Sequence, residues 1–160
     1  MSVGENLAAS LKRATDREMS VLELVGLAES LRATAPLQTI AQLYTVWIEH
    51  NAEHPLVYAV LFNHSAILTE MNDLQGARET LERSLAINPD FAPSRINLGR
   101  IYERFGSPDL SIEQWNVAIE RMANVNGLSI THKTAALNQK ARVLEANAQD
   151  EASEAMLKQS

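Results

Sequence analysis

No cysteine occurs anywhere in the 160 residues. That removes disulfides, zinc ribbons and thiol catalysis together, and it fits a reducing compartment. Helix breakers are scarce, with 6 glycines and 5 prolines, while Ala, Leu and Glu are plentiful, so the composition favours helix. No apolar run approaches the roughly 18 residues that a membrane span needs. Basic residues are outnumbered, 14 Lys and Arg against 20 Asp and Glu, giving a net charge of −6 and a pI near 5.2. A nucleic-acid binder would carry a basic face, so neither nucleic acid nor a membrane is an expected partner. The N-terminal string MSVGENLAASLKR lacks the basic start and long apolar block of a secretory signal, which leaves the cytoplasm as the simplest compartment. There is no glycine-rich phosphate loop and no G-x-S-x-G nucleophile motif, so the sequence assigns no catalytic residue, cofactor or metal site.

What is present is helical periodicity. Leu7, Leu11 and Ala14 predict a first helix over residues 3–17. Ser20 and Glu23 form a capping box, in which each side chain satisfies an unpaired N–H at a helix start. A second helix then runs to about residue 33, where Ala35-Pro36 breaks it. A third, with Ile40, Leu43, Tyr44, Trp47 and Ile48 as its stripe, runs to about residue 51. Helices are predicted over 56–71 and 74–87, with Asn72-Asp73 as the turn and Asn88-Pro89 as the stop. Two more follow over 92–105 and 108–123, separated by Gly106 and by Ser107-Pro108. The stretch NVNGLSI over 124–130 reads as a loop, followed by one helix over 131–146 and another from 149 to the end.

Residues 34 apart keep their class. Asn63 aligns with Asn97, Ser65 with Gly99, Leu68 with Tyr102 and Asn72 with Gly106. Ala77 aligns with Ser111, Leu81 with Trp115 and Ser84 with Ala118. After the NVNGLSI stretch the step becomes 42, and the pattern resumes as Leu137, Ala141, Leu144, Ser153, Leu157 and Ser160. One helical hairpin cannot bury its own apolar face, so repeated hairpins must stack. Small residues such as Ser65 and Ala77 belong where helices cross closely, and the large residues at Leu68/Tyr102 and Leu81/Trp115 are expected to fill the space between successive hairpins. Trp47 and Trp115 share a repeat position, which points to core packing rather than ligand stacking.

The string ARETLERSLAINPD, with the positions above, resembles the tetratricopeptide (TPR) repeat, whose unit is about 34 residues. The resemblance implies an all-α, right-handed solenoid of stacked antiparallel hairpins. It assigns residues 1–160 to a single domain: N-terminal helices with a degenerate repeat over 3–53, repeats over 54–91 and 92–125, and an incomplete repeat over 131–160. There are departures. Leu61, Arg95 and Leu137 stand where a large aromatic is usual, and His64 and Lys140 where a leucine is typical.

The resemblance further implies a protein or peptide ligand along the first helix of each repeat, on an inner face that includes Phe62, Asn63, Glu70, Ile96, Asn97, Arg100 and Arg104. An asparagine offers both donor and acceptor and can bracket a peptide backbone whatever its sequence. The resemblance to O-linked N-acetylglucosamine transferases implies a ladder of such asparagines, which here has only two rungs, Asn63 and Asn97, because Gln139 takes the third place. Arg100 and Arg104 lie one turn apart and suit an acidic group, with local pairing to Glu103 or Glu70 as the alternative. His50 and His54 stand four apart, but their flanking glutamates do not follow the zinc-helix order, and no metal is expected there.

The strings from His54 to Phe91 and around Trp115 are also similar to the N-terminal TPR region of bacterial SPINDLY-type proteins, relatives of O-linked N-acetylglucosamine transferases. That similarity implies a substrate-selecting arm followed by a glycosyltransferase domain beyond residue 160, with no catalysis in this segment itself. The alternative is a free-standing TPR adaptor or scaffold, or a homo-oligomerising domain with Met156 and Leu157 at an exposed apolar end.

Overall fold

The computed structural model describes residues 3–121 and 128–157. Among them every regular element is a helix: α1 (Val3–Thr15), α2 (Val21–Leu31), α3 (Leu37–His50), α4 (Val57–Glu70), α5 (Leu74–Ile87), α6 (Ala92–Arg104), α7 (Pro108–Arg121) and α8 (Leu128–Leu157). The chain divides into two compact units, Met1–Asn88 and Pro89–Ser160.

The first unit contains α1 to α5. The capping box at α2 forms as expected: Ser20 Oγ accepts the Glu23 N–H at 3.3 Å, and Glu23 Oε2 accepts the Ser20 N–H at 2.9 Å. Arg13 adds a 2.7 Å ion pair to the same carboxylate and is the main reason that its pKa falls to about 2, with the Ser20 bonds second. Asn51 ties α1 to α3 by donating its side-chain N–H groups to Ala14 O and Trp47 O. The core runs through Leu24, Ile40, Leu43, Trp47, Val60 and Leu61. Trp47 is fully buried, and its indole N–H donates to Met19 O at 2.8 Å, so the ring fills volume without leaving an unpaired donor.

The α4–α5 hairpin shows why small residues recur. Ser65, Ala77 and Ser84 are at most 1% exposed. Ser84 Oγ donates to Tyr58 O at 2.8 Å across the pair, and Ser65 Oγ to Phe62 O at 2.6 Å. Each hydroxyl is therefore buried with a partner, as a polar group in a core must be. Asp73 caps α5 through the Gly76 N–H, as its position predicts.

The second unit repeats this geometry in α6 and α7, with Gly99 at the Ser65 position. A side chain there would run into the Trp115 ring, which is itself fully buried and donates to Ile96 O at 3.1 Å. Phe91, the residue before α6, makes no side-chain cap. Arg95 ties the start of the helix to its neighbours: its guanidinium donates twice to Pro89 O, at 3.1 and 2.9 Å, and once to Gln114 at 3.2 Å. The arginine at an aromatic position is thus a polar tie within its own unit.

One expectation fails. Residues 128–130 are not loop but the first turn of α8, and α8 runs unbroken for 30 residues instead of closing as two helices over 131–146 and 149 onward. The physical reason lies in the turns of the other hairpins. Asn72 and Gly106 both sit in the left-handed region, at φ 61° and 69°. These are residue types that tolerate it. The corresponding position at the 42-residue step is Ala148, whose Cβ disfavours that conformation and whose propensity extends the helix. Asn126-Gly127, Met122 and the side chains of Met156, Leu157 and Ser160 lie outside the described residues.

Candidate peptide-binding faces

Phe62, Asn63 and Glu70 lie on α4 in the first unit; Ile96, Asn97, Arg100 and Arg104 lie on α6 in the second. Asn63 and Asn97 are each half-buried, and neither side-chain amide bonds to another described residue. Phe62 is also half-buried. The flanking residues go inward: Leu61 in α4 and Leu98 in α6 are 1% and 3% exposed. The asparagines therefore sit at the border of the core, each carrying both a donor and an acceptor.

Arg100 and Arg104 are both exposed, one turn apart on the same side of α6 as Asn97. Arg104 is engaged within the protein, and the two carboxylates expected nearby each hold another arginine. Glu103 receives Arg142 of α8 at 2.6 Å. Glu70 receives Arg32 in a two-pronged pair at 2.8 and 2.9 Å, and Arg32 also approaches Glu29 at 3.3 Å. Glu70 is thereby a tie between α2 and the last turn of α4. Ile96 is a further correction: at 4% exposed it belongs to the core with Ala92, Trp115 and Ala118, and it does not present a surface. Gln139, the third rung, is half-buried and accepts from Arg142 at 2.9 Å.

His64 is the feature that periodicity flags and residue type conceals. It stands where Leu98 stands in the next hairpin, stacks on Tyr44 with ring centroids 6.0 Å apart, and keeps Nε2 buried without a hydrogen-bond partner. Burial, aided by the Arg83 charge and opposed by Asp73, lowers its pKa to about 4. It is half-buried and neutral at physiological pH.

The His50 and His54 rings are engaged by backbone. His50 Nδ1 donates to Val46 O at 2.9 Å, and His54 Nδ1 accepts the Leu56 N–H at 3.1 Å while the ring meets Trp47 edge-on. His54 also lines an open cleft of about 300 Å³ with Arg17, Asn51 and Glu53. Among the described residues no three His, Cys, Asp or Glu side chains come together as a metal site would require, and no helix is long and apolar enough to cross a membrane.

The family model described as tetratricopeptide repeat matches residues 58–91, the α4–α5 hairpin with its turn into α6. No curated protein sequence matches this chain. Two crystal structures of MamA share its fold. One aligns with a TM-score of 0.55 and 16% identity over 95% of this chain and 98% of that one. The other aligns with a TM-score of 0.56 and 16% identity, over 94% and 83% respectively. The chain is therefore all-α with a TPR-type fold, and its α4–α5 hairpin is the repeat that carries the family signature.

Proposed function

We propose that this protein is a cytoplasmic protein- or peptide-binding module, and that each unit offers a ligand the first helix of its own hairpin, α4 in the first unit and α6 in the second. The observation that carries this reading is the repeated asparagine. Asn63 and Asn97 occupy the same position of two hairpins, half-exposed, with side-chain amides that bond to no described residue. A donor–acceptor pair of this kind recognises peptide backbone regardless of sequence. On α6 the exposed Arg100 and Arg104 add selectivity for a carboxylate, from an acidic side chain or a chain end.

An array of immobilised 15-residue peptides of varied composition, probed with the full chain, tests this. Asn63→Ala with Asn97→Ala is expected to lower binding about tenfold across the array, the worth of one or two well-made hydrogen bonds. Arg100→Ala with Arg104→Ala is expected to weaken acidic peptides selectively and to flatten their salt dependence. Unchanged binding by both double variants rejects the assignment of these faces.

The narrower reading makes the module the substrate-selecting arm of a SPINDLY-type glycosyltransferase. It is supported by the repeat strings and by the asparagine pair, and the protein-binding reading does not depend on it. Reading the gene past codon 160 tests it: a nucleotide-sugar transferase domain supports the arm, and an immediate stop leaves a free-standing adaptor.

A further inference from the structure

The unbroken α8 leaves one of its faces without cover. Leu137 and Leu144 are each 46% exposed, and Ala141 and Ala148 are exposed beside them. In α4 the corresponding leucines, Leu61 and Leu68, are 1% and 9% exposed within the α4–α5 hairpin. The opposite side of α8 is already used, with Ala136 and Val143 buried in the core of the second unit. The uncovered residues follow at steps of four, three and four, which is the a/d seam of a heptad repeat, with alanine at a and leucine at d.

The flanks of this seam specify what covers it. Lys140 falls at g and Glu145 at the following e, and neither pairs with another described residue. In a parallel pair of helices, g of one chain faces the next e of the other. A second copy in parallel would therefore set Lys140 against the second copy's Glu145, twice, by symmetry. An antiparallel pair would set g against g and e against e, and would lose both contacts.

We propose that α8 is a self-association helix, and that the Leu137–Ala141–Leu144–Ala148 seam docks against the same seam of a second copy in parallel. The small residues at a allow close approach, and the leucines at d supply the apolar contact. A seam of this length buries well under the roughly 1,200 Å² of a tight complex, so the dimer forms in the micromolar range. The surface is distinct from the α4 and α6 faces proposed for peptide.

Sedimentation velocity of the full chain between about 5 and 500 μM, a range set by that interface size, is expected to show a monomer–dimer equilibrium. Leu137→Glu with Leu144→Glu should abolish it, and circular dichroism should report an unchanged fold because both residues are exposed. Lys140→Glu should weaken dimerisation about fivefold, and adding Glu145→Lys should restore it. The absence of native cysteine gives a second, independent readout. Leu144→Cys should form a disulfide-linked dimer on mild oxidation, whereas Glu113→Cys, on α7, should not. A monomer at every concentration assigns the seam to another occupant and overturns the proposal. So does a dimer that survives both glutamates, or the failure of Leu144→Cys to cross-link.

Discussion

His64 gives the protein a pH dependence that one substitution should remove. Its imidazole has a folded-state pKa of about 4 against an ordinary 6.5. Between those values the unfolded chain takes up a proton that the native chain does not, so unfolding is favoured as pH falls. The native state is unaffected above about pH 7, loses stability through the window from 6.5 down to 4, and loses no more from this residue below that. At pH 5 the linkage amounts to about 2 kcal/mol, which for a chain of this size is roughly 4–8 °C in melting temperature. Glu23, whose carboxyl is held at about 2, adds its own loss of stability as pH falls below about 4.5, so the slope for the native protein alone would not isolate the histidine at the acid end. The comparison with His64→Leu does. Leu98 occupies the same slot of the next hairpin and is 3% exposed, so a leucine suits the site. At pH 7.5 the variant trades the Tyr44 stack for relief of an unpaired buried nitrogen, and its stability should change by less than about 1 kcal/mol. At pH 5 it should exceed the native protein by about 2 kcal/mol more than it does at pH 7.5. Urea titrations of both proteins at the two pH values measure this directly. Parallel pH profiles would refute the reasoning, because they would mean that the native histidine takes up its proton without penalty.

Gly99→Ala should cost about 1–3 kcal/mol by urea denaturation, since the added methyl meets the fully buried Trp115 ring and the α6–α7 pair must part. Arg32→Ala should cost only about 0.5–1 kcal/mol and less at high salt, because the Glu70 pair it removes is well formed but partly exposed to solvent. Asn72→Ala should destabilise the first unit by about 1 kcal/mol, through the strain of a methyl side chain at φ 61°, whereas Asn72→Gly should be neutral or slightly stabilising.

Much of this fold can be read from local chemistry. Ser20 with Glu23, Asp73 ahead of Gly76, and Asn72 and Gly106 at matching turns each act over a few residues, and each does in the structure what its type implies. The small residues at the helix crossings were equally legible, because a 34-residue comparison isolates positions where size is constrained. Three features were not. The unbroken run of α8 was one: the 42-residue step and Asn147 suggest a turn near 147–148, but Ala148 holds the turn position and the helix continues through it. Ile96 shares a repeat position with Phe62, yet one step of about 100° along a helix separates surface from core. Ile96 packs in the core with Ala92, Trp115 and Ala118, a long-range contact that the repeat position alone does not carry. The Arg32–Glu70 tie joins residues 38 apart in sequence, beyond the reach of any helical period. The candidate residues of the proposed faces, Phe62, Asn63, Asn97, Arg100 and Arg104, were visible as residue type and spacing. Their accessibility was not.

At 30 residues α8 is about 45 Å long, roughly twice the length of α4 or α5. Its buried residues among those described are Ala136 and Val143, and residues 145–151 are mostly exposed. Isolated helical turns are marginal by themselves, so their amides should exchange with solvent through local fraying, while those of α3 and α4 should wait for opening of the whole unit. The chain thus carries a gradient of opening free energies toward α8. A ligand or a second copy that settles on that helix would register first as slowed amide exchange there, before any change in the global melting point.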